Sequence, residues 1–587
     1  MSIRRREFLQ ILAAGALAPG ALRAARKLPE DFYEVPVQGN VRLLHMTDSH
    51  AQLEPLHFRE PSVNIGVGRM YGRPPHVVGN AFLDHFGIAA GTPEAHAFTF
   101  LDFEAAAREL GSMGGYAHLA TLVRQLREQA GDGNSLLLDG GDTWQGSAPA
   151  QWSEGMAMVE ACNRLGVDVM TGHWEFTYPE ATIRKNIEAF AGDFVAHNVQ
   201  ATVDAMFAGV PVYDEDSRRV FPPYTMKTVG GARLAIVGQA FPYVPIAHPQ
   251  WFIPDWTFGI KEEMLQTLVD RIREQEQPDA VVVLSHNGAD VDLKMASRVT
   301  GVDVILGGHT HDAVPAPQPV KNGGGTTFVI QSGSHGKMLS VVDLDIAKGR
   351  VRDLGYRLLP VYSQLLEPDA DMAGYVRSVH APHRDALGEE LATADRLLYR
   401  RGNFTGTFDQ IFVDALRERL DADISLSPGF RWGRTVLAGE PITMEDVYML
   451  SMITYPETYT REMSGEQIKT ILEDVCDNLF NKDPYYQQGG DMVRVGGMVY
   501  TCNPTLPRGQ RISNLTLSSG RPVSPVRKYK VAGWANVNSK VEGEPVWDVV
   551  AAYLRDHKDT GITRWEIPRL QNVRGNPGIA RYPRILS

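Results

Sequence analysis

The chain has 587 residues, a length that predicts more than one domain. Hydrophobic residues make up 43% and charged residues 22%, a globular balance that excludes wholesale disorder and collagen-like repeats. Acidic residues outnumber basic ones by 70 to 58; the resulting net charge of -12 argues against a nucleic-acid backbone as partner, but not against a small anion met by local arginines or metal ions.

In chain order, Arg4-Arg5-Arg6-Glu7-Phe8-Leu9 and the apolar stretch from Ile11 to Leu22 read as an export signal over residues 1–26, with the paired arginines of the twin-arginine route. Cleavage is expected between Ala18 and Arg26, and no later apolar run is long enough to span a membrane. A mature protein in the periplasm follows. From residue 38 to 360, short apolar runs alternate with helical patterns. Val41–Met46, Leu136–Leu138, Asp168–Met170, Ala280–Leu284 and Val302–Leu306 read as buried strands, and Leu119, Leu122, Val123 and Leu126 put an apolar face on a helix over 117–130. This is the pattern of an α/β layered domain. A Gly/Pro/His-rich stretch, 54–115, interrupts it as a long insertion expected to be loop, so His57, His76, His85 and His96 are expected to be solvated. Residues 361–394 read as a linker helix. A second α/β region follows over 395–570; its best helix is Gly465–Leu479, with Ser464 as N-cap. Three cysteines, Cys162, Cys476 and Cys502, cannot make a disulfide framework and are expected to be buried and inert.

Five strands of the first region end in chemistry. In order they read Thr47-Asp48-Ser49-His50, Asp139-Gly140-Gly141-Asp142, Thr171-Gly172-His173-Trp174-Glu175, Ser285-His286-Asn287-Gly288 and Gly307-Gly308-His309-Thr310-His311. Loops beyond the carboxyl ends of strands are where open α/β sheets build their sites. Clustered carboxylates and imidazoles suit divalent transition ions. A lone Asp-x-His is mostly chance, but five such pieces, each at a strand end, predict a dinuclear centre.

These motifs resemble the metallophosphoesterase catalytic domain of the 5'-nucleotidase family, and the second region resembles that family's C-terminal substrate-binding domain. The resemblance covers nearly the whole mature chain. It implies a four-layer α/β/β/α catalytic domain followed by a smaller α/β domain. It also implies that Asp48, His50, Asp142 and His311 hold one ion, that Asp142 bridges, and that His173, His286 and His309 complete the other. Two ions about 3.5–4 Å apart clamp the attacking and leaving sides of an in-line displacement.

The sequence departs from the nucleotidases in two places. Their Gly-Asn-His-Glu-Phe-Asp motif is here Gly172-His173-Trp174-Glu175-Phe176-Thr177, so His173 replaces a ligating Asn while Trp174 and Thr177 replace the catalytic His/Asp dyad. That dyad assists a poor alkoxide leaving group; thiols, with pKa values of about 8.5, leave without it. The paired base-stacking rings fall at Ile453 and Val493, neither aromatic, unless Tyr455, Tyr485 or Tyr486 stacks from a shifted position. The Gly-His-Trp-Glu motif, the insertion, Arg401-Gly402-Asn403-Phe404 and Asp483-Pro484-Tyr485-Tyr486-Gln487-Gln488-Gly489-Gly490 are similar to the SoxB thiosulfohydrolases, a branch of the same family. That resemblance implies two Mn²⁺ ions, the SoxYZ carrier as protein partner, and hydrolysis of the terminal sulfonate from a cysteine S-thiosulfonate.

Around the metals, Arg431 is expected to pair with sulfonate oxygens, and Arg400 and Arg401 less so. Trp174 is expected to line the channel, Glu175 to orient a ligand, and His118 to be structural. Glycines 489, 490, 496 and 497 would leave room at the mouth for a thin carrier arm. A monomer is expected. The alternatives are a periplasmic 5'-nucleotidase or cyclic phosphodiesterase, and a non-catalytic carrier-binding protein with a dead metal site.

Overall fold

The computed structural model describes residues 28, 29 and 31–580, so the expected signal over 1–26 lies outside the described residues. Two six-stranded sheets form the heart of the first region. Along the first sheet run Val351–Pro360, Met338–Ile346, Val41–Met46, Ser135–Asp139, Val169–Met170 and Asp193–Phe194. Val41–Met46 pairs parallel with Ser135–Asp139 and antiparallel with Met338–Ile346. Along the second run Gln318–Asn322, Gly325–Gln331, Val304–Gly307, Ala280–Ser285, Ala232–Gln239 and Tyr224–Val229, with a parallel centre and antiparallel edges.

The strands alternate in what they touch. Leu43, Leu136, Leu138 and Val169 of the first sheet pack against Leu234, Ile236, Val282 and Leu306 of the second. The intervening residues point outward: Leu44, Met46 and Leu137 meet Leu119, Leu122 and Leu126 of the helix Tyr116–Ala130. On the other side Val237, Val281 and Val283 meet Leu265, Leu268 and Ile272 of the helix Glu262–Gln275. Strands buried on both faces read as continuous apolar runs, which is why their sequences show no alternation. The result is the four-layer α/β/β/α arrangement.

The second region is built on a four-stranded sheet ordered Thr458–Ser464, Lys528–Trp534, Ile424–Gly429, Asp491–Gly496. The helix Thr407–Arg419 packs on one side through Phe408 and Phe412, and Gly465–Phe480 on the other through Ile468, Leu472 and Cys476. The latter helix starts as its sequence implies: Ser464 Oγ accepts the Gln467 N–H while the Gln467 side chain caps Ser464 N–H.

Two expectations change. The stretch 54–115 is mostly loop, as expected, but not wholly so: it carries the helices Asn80–Phe86, Pro93–Phe98 and Phe103–Leu110. These turns are short and their Gly and Pro neighbours hide the periodicity. Nor are its histidines uniformly solvated, because His96 is buried and His76 pairs with Asp290 at 3.0 Å. The linker is broken: Ala370–His380 docks through Met372 and Tyr375 onto the first domain's core, and a second short helix, Arg384–Leu387, precedes the strand Glu390–Thr393. Among the described residues no helix is long and apolar enough to cross a membrane.

Arg42 and Asp343 face each other across the Val41–Met46 and Met338–Ile346 strands, both buried, with Nε–Oδ1 2.8 Å and Nη2–Oδ2 2.9 Å. Removing one partner strands a buried charge, so Arg42→Met should destabilise the first domain by about 3–5 kcal/mol in urea unfolding. Arg42→Met combined with Asp343→Leu should recover most of that loss.

Candidate metal centre

Five strand ends converge where the sheets meet the second domain. The turns are made by an unusual backbone: Asp48, His50, Asp142, His309 and His311 all have φ between 45° and 76°. Non-glycine residues in this left-handed region are uncommon and cluster at functional sites, where surrounding structure enforces them. Here the enforcement is visible. Asp48 N–H donates to Gly141 O and His50 N–H to Asp142 O, each at 2.8 Å, and His309 N–H donates to Asp48 Oδ2 at 2.9 Å. Glu175 is the central clasp. Its buried carboxylate accepts the backbone N–H groups of His173 (2.7 Å), Asp142 (3.1 Å), Thr143 (2.7 Å) and Trp144 (3.2 Å), holding two strand ends together.

All seven candidate ligands are brought together, all buried, in two groups that share one residue. Asp142, His173, His286 and His309 form one; Asp48, His50, Asp142 and His311 form the other, the ligand atoms of each lying within 4.8 Å of one another. Asp142 Oδ2 lies 3.0 Å from His286 Nε2 and 3.6 Å from His50 Nε2, while Asp142 Oδ1 lies 3.0 Å from His173 Nδ1. Nε2 of His50 and Nε2 of His311 face each other at 3.0 Å. His286 Nδ1 donates to the Gly140 carbonyl at 2.7 Å, which leaves the Nε2 lone pair aimed at the cluster.

The donor set fits a pair of divalent ions. Both ring nitrogens of His309, Nδ1 of His50 and His311, and Nε2 of His173 are buried without a protein partner, and unpaired buried nitrogens beside two carboxylates are what such ions satisfy. Burial holds the His309 and His311 imidazoles well below their ordinary value, with His173 and His50 respectively adding to the effect, so both rings are neutral, the ligating form. Burial also acts on Asp142, pushing its carboxyl up, but His173 and His286 outweigh it and keep the group ionised.

The centre opens into a cavity of about 430 Å³ walled by both domains. The first domain contributes His50, Asp142, His173, Trp174, Phe241 and the two His of the Gly-Gly-His-x-His turn; the second contributes Phe430, Arg431, Trp432, Tyr455, Gly489 and Gly490 among others. Trp174 lines the cavity, 4.9 Å from Trp432 and 6.4 Å from the nearly parallel ring of Tyr455, and its backbone N–H donates to Asp142 Oδ1 at 2.8 Å. Thr177 bonds Thr454 of the second domain at 2.6 Å. Arg431 also lines the cavity and donates from Nη2 to Gly490 O at 2.8 Å. Arg401 does not: its Nη2 is spent on the Thr310 carbonyl at 2.8 Å and on Asp312, so it buttresses the His309–His311 turn from behind. Arg400 is tied to Asp409 and Leu450 O. Gly489 and Gly490 border the cavity, but Gly496 and Gly497 do not: a Cβ on either would strike Ser425 or Asp423 inside the second domain. His118 lies outside the cavity lining, half-buried on the helix Tyr116–Ala130.

Several cavity and cluster residues were invisible in the motifs. Trp432 stacks on His50 at 4.9 Å and 27°, and Phe241 lies 4.0 Å from His173 and 4.2 Å from His309. His335 donates its backbone N–H to Asp48 O at 2.8 Å. The only sequence signal available for them was an aromatic or His just past a strand end.

Residues 391–548 match the family described as 5'-nucleotidase, C-terminal domain. The chain is 23% identical over 495 residues to the protein UshA of Yersinia enterocolitica, covering 75% of this chain and 84% of that one. Among solved structures it is similar to a 5'-nucleotidase precursor from Thermus thermophilus, with TM-score 0.69, 21% identity, and coverage of 91% and 99% of the two chains, a likeness of fold. It is more similar to the sulfate thiohydrolase SoxB of Thermus thermophilus: TM-score 0.84, 35% identity, 92% of this chain and 98% of that one.

Gly489 has φ +81°, and a Cβ there would lie 1.9 Å from His309 Nε2. Gly489→Ala should therefore displace His309 and lower the metal content from two ions per chain towards one, as elemental analysis of the purified protein would show. The fold and the extent of the likeness agree that the chain belongs to the SoxB branch of the 5'-nucleotidase family.

Proposed function

We propose that the protein is a thiosulfohydrolase: it hydrolyses the terminal sulfonate from a cysteine S-thiosulfonate carried by SoxYZ, using two Mn²⁺ ions, in the periplasm after twin-arginine export. Water adds to the terminal sulfur, the S–S bond breaks, and sulfate, the carrier persulfide and two protons are released. The bound ions would supply a nucleophile at neutral pH and polarise the sulfonate oxygens.

The observation that carries the reading is that positions 174 and 177, where the nucleotidases carry their His/Asp dyad, hold a tryptophan and a threonine. Position 174 is an indole packed among Trp432, Phe430 and His248, and position 177 is a threonine committed to Thr454. Nothing there delivers a proton to an alkoxide. A persulfide, a weaker base than a thiolate, departs without one. Arg431 meets the oxyanion from the second domain, where a guanidinium matches paired oxygens. Asp142 is held in place by the Trp174 N–H, and Phe241, Trp432 and Tyr455 exclude water from the reacting centre.

The nucleotidase reading fits the cavity less well. Ile453 is fully buried, Tyr485 is turned to Glu262, and Tyr486 is exposed away from the cavity. Tyr455 does line the wall, but at 6.4 Å from Trp174. A base sandwiched between two rings needs about 7 Å, twice the contact distance of carbon atoms.

Purified protein should release sulfate from thiosulfonated carrier in a Mn²⁺-dependent manner, and no phosphate from AMP; phosphate without sulfate would overturn the reading. Trp174→His should not raise sulfate release, since no acid is wanted there. A gain of tenfold or more would show that leaving-group protonation limits the reaction after all.

A further inference from the structure

Behind Arg431 lies a buried row of alternating charges. Arg431 Nε faces Asp491 Oδ1 at 3.5 Å. Asp491 Oδ2 faces Arg494 Nη2 at 3.3 Å, Arg494 Nε faces Asp409 Oδ2 at 3.1 Å, and Asp409 Oδ1 faces Arg400 Nε at 2.8 Å. The side chains of Asp491, Arg494 and Asp409 are entirely inaccessible and that of Arg400 nearly so; Arg431, at 12% exposure, is the member that opens on the cavity, with Asp491 at its edge.

Three guanidinium groups alternate with two carboxylates, so the row carries one uncompensated positive charge. Each interior member has an opposite charge on both sides. At the far end Arg400 is sealed beneath Leu450 O and the ring of Phe412. The surplus is therefore presented where the row opens, at Arg431. Arg494 Nη1 also donates to Gly402 O at 3.2 Å and Asn403 Nδ2 to Asp491 at 3.4 Å, whereas Arg400 Nη2 has no hydrogen-bond partner.

Stability does not account for such a row, because a buried ion network is often matched or bettered by apolar residues of similar volume. Its geometry has a direction instead. Asp491 starts its strand immediately after Gly489 and Gly490, whose backbone touches His309 and accepts from Arg431 Nη2. Arg431 Nη1 also donates to the His309 carbonyl at 3.3 Å. One short segment thus fixes the guanidinium relative to one of the two metal groups.

We propose that Asp491 and Arg494 are positioning residues for oxyanion recognition: they hold Arg431 in register with the metal centre, so that the site takes a tetrahedral oxyanion across the metal pair and one guanidinium. This rests on the reading of Arg431 as the oxyanion anchor, and not on the identity of the sulfur substrate.

The test uses the full-length, Mn²⁺-loaded protein, titrated calorimetrically with inorganic phosphate, which needs no turnover. Asp491→Asn and Arg494→Met should each weaken phosphate binding about tenfold, with metal content unchanged at two ions. Arg431→Ala should weaken it at least as much. In the Arg431→Ala background, Asp491→Asn and Arg494→Met should add nothing further. An unchanged affinity in the single variants overturns the proposal, as does an additive loss in the double variants. Loss of an ion in Asp491→Asn or Arg494→Met would also overturn it, by showing that the row serves His309 rather than Arg431. A protein that binds phosphate in this pattern yet releases no sulfate from the carrier would retain this inference and lose the thiosulfohydrolase reading.

Discussion

The structure depends on burying two carboxylates and five imidazoles in one place. An interior of low polarity tolerates such groups only when each finds a partner. Asp142 is surrounded by His173, His286 and His50, Asp48 by His286 and His311, and several ring nitrogens find no protein partner at all. The requirement for cations is thus built into the fold. Its geometric cost falls on the backbone, which adopts left-handed φ at five of the seven candidate ligands and is pinned there by Glu175 and by amide donors from neighbouring strand ends. A metal pair would release that accumulated electrostatic demand, coupling ion binding to the order of five loops at once.

The same packing shows why part of the molecule was legible from the amino acids alone. Val41–Met46 and Ala280–Ser285 are continuous apolar runs because both their faces are covered, and the chemistry follows directly at their carboxyl ends. Ser464 and Gln467 announce a helix through local hydrogen bonds. What could not be read is what depends on distant chain. Trp432 reaches His50 across more than 380 positions, and Phe241 meets His173 from just past a strand end of the other sheet. Arg400 and Arg401 are adjacent in sequence yet part company, one joining Asp409 and the other Asp312. The short helices of 80–110 are held by tertiary burial of Phe82, Phe98 and Phe103 rather than by any periodic signal long enough to notice.

The second domain brings aromatic walls and a directed positive charge to a site whose carboxylates and imidazoles all come from the first. This division separates two physical tasks. The first domain sets the ion pair by rigid strand ends; the second sets what approaches it, by shape and by a single guanidinium anchored through a buried row. Function on a shared fold lives in such a site, and here the site draws its ion-binding groups from one domain and much of its wall from the other.

The insertion gives this division a mechanical consequence. Residues 57–65 are sewn to both bodies: Lys337 of the first domain grips Glu60 at 2.6 Å, Thr435 N–H of the second donates to His57 O, Asn403 N–H donates to Val63 O, and Ser62 and Asn64 pair with residues 578–580 at the chain's other end. Tyr243 and Tyr455 add hydroxyl tethers across the opposite lip. With stitches on both sides, the rim of the cavity is braced along both lips. Whatever reaches the metal cluster must pass between those lips, so its bulk is limited before any chemistry begins.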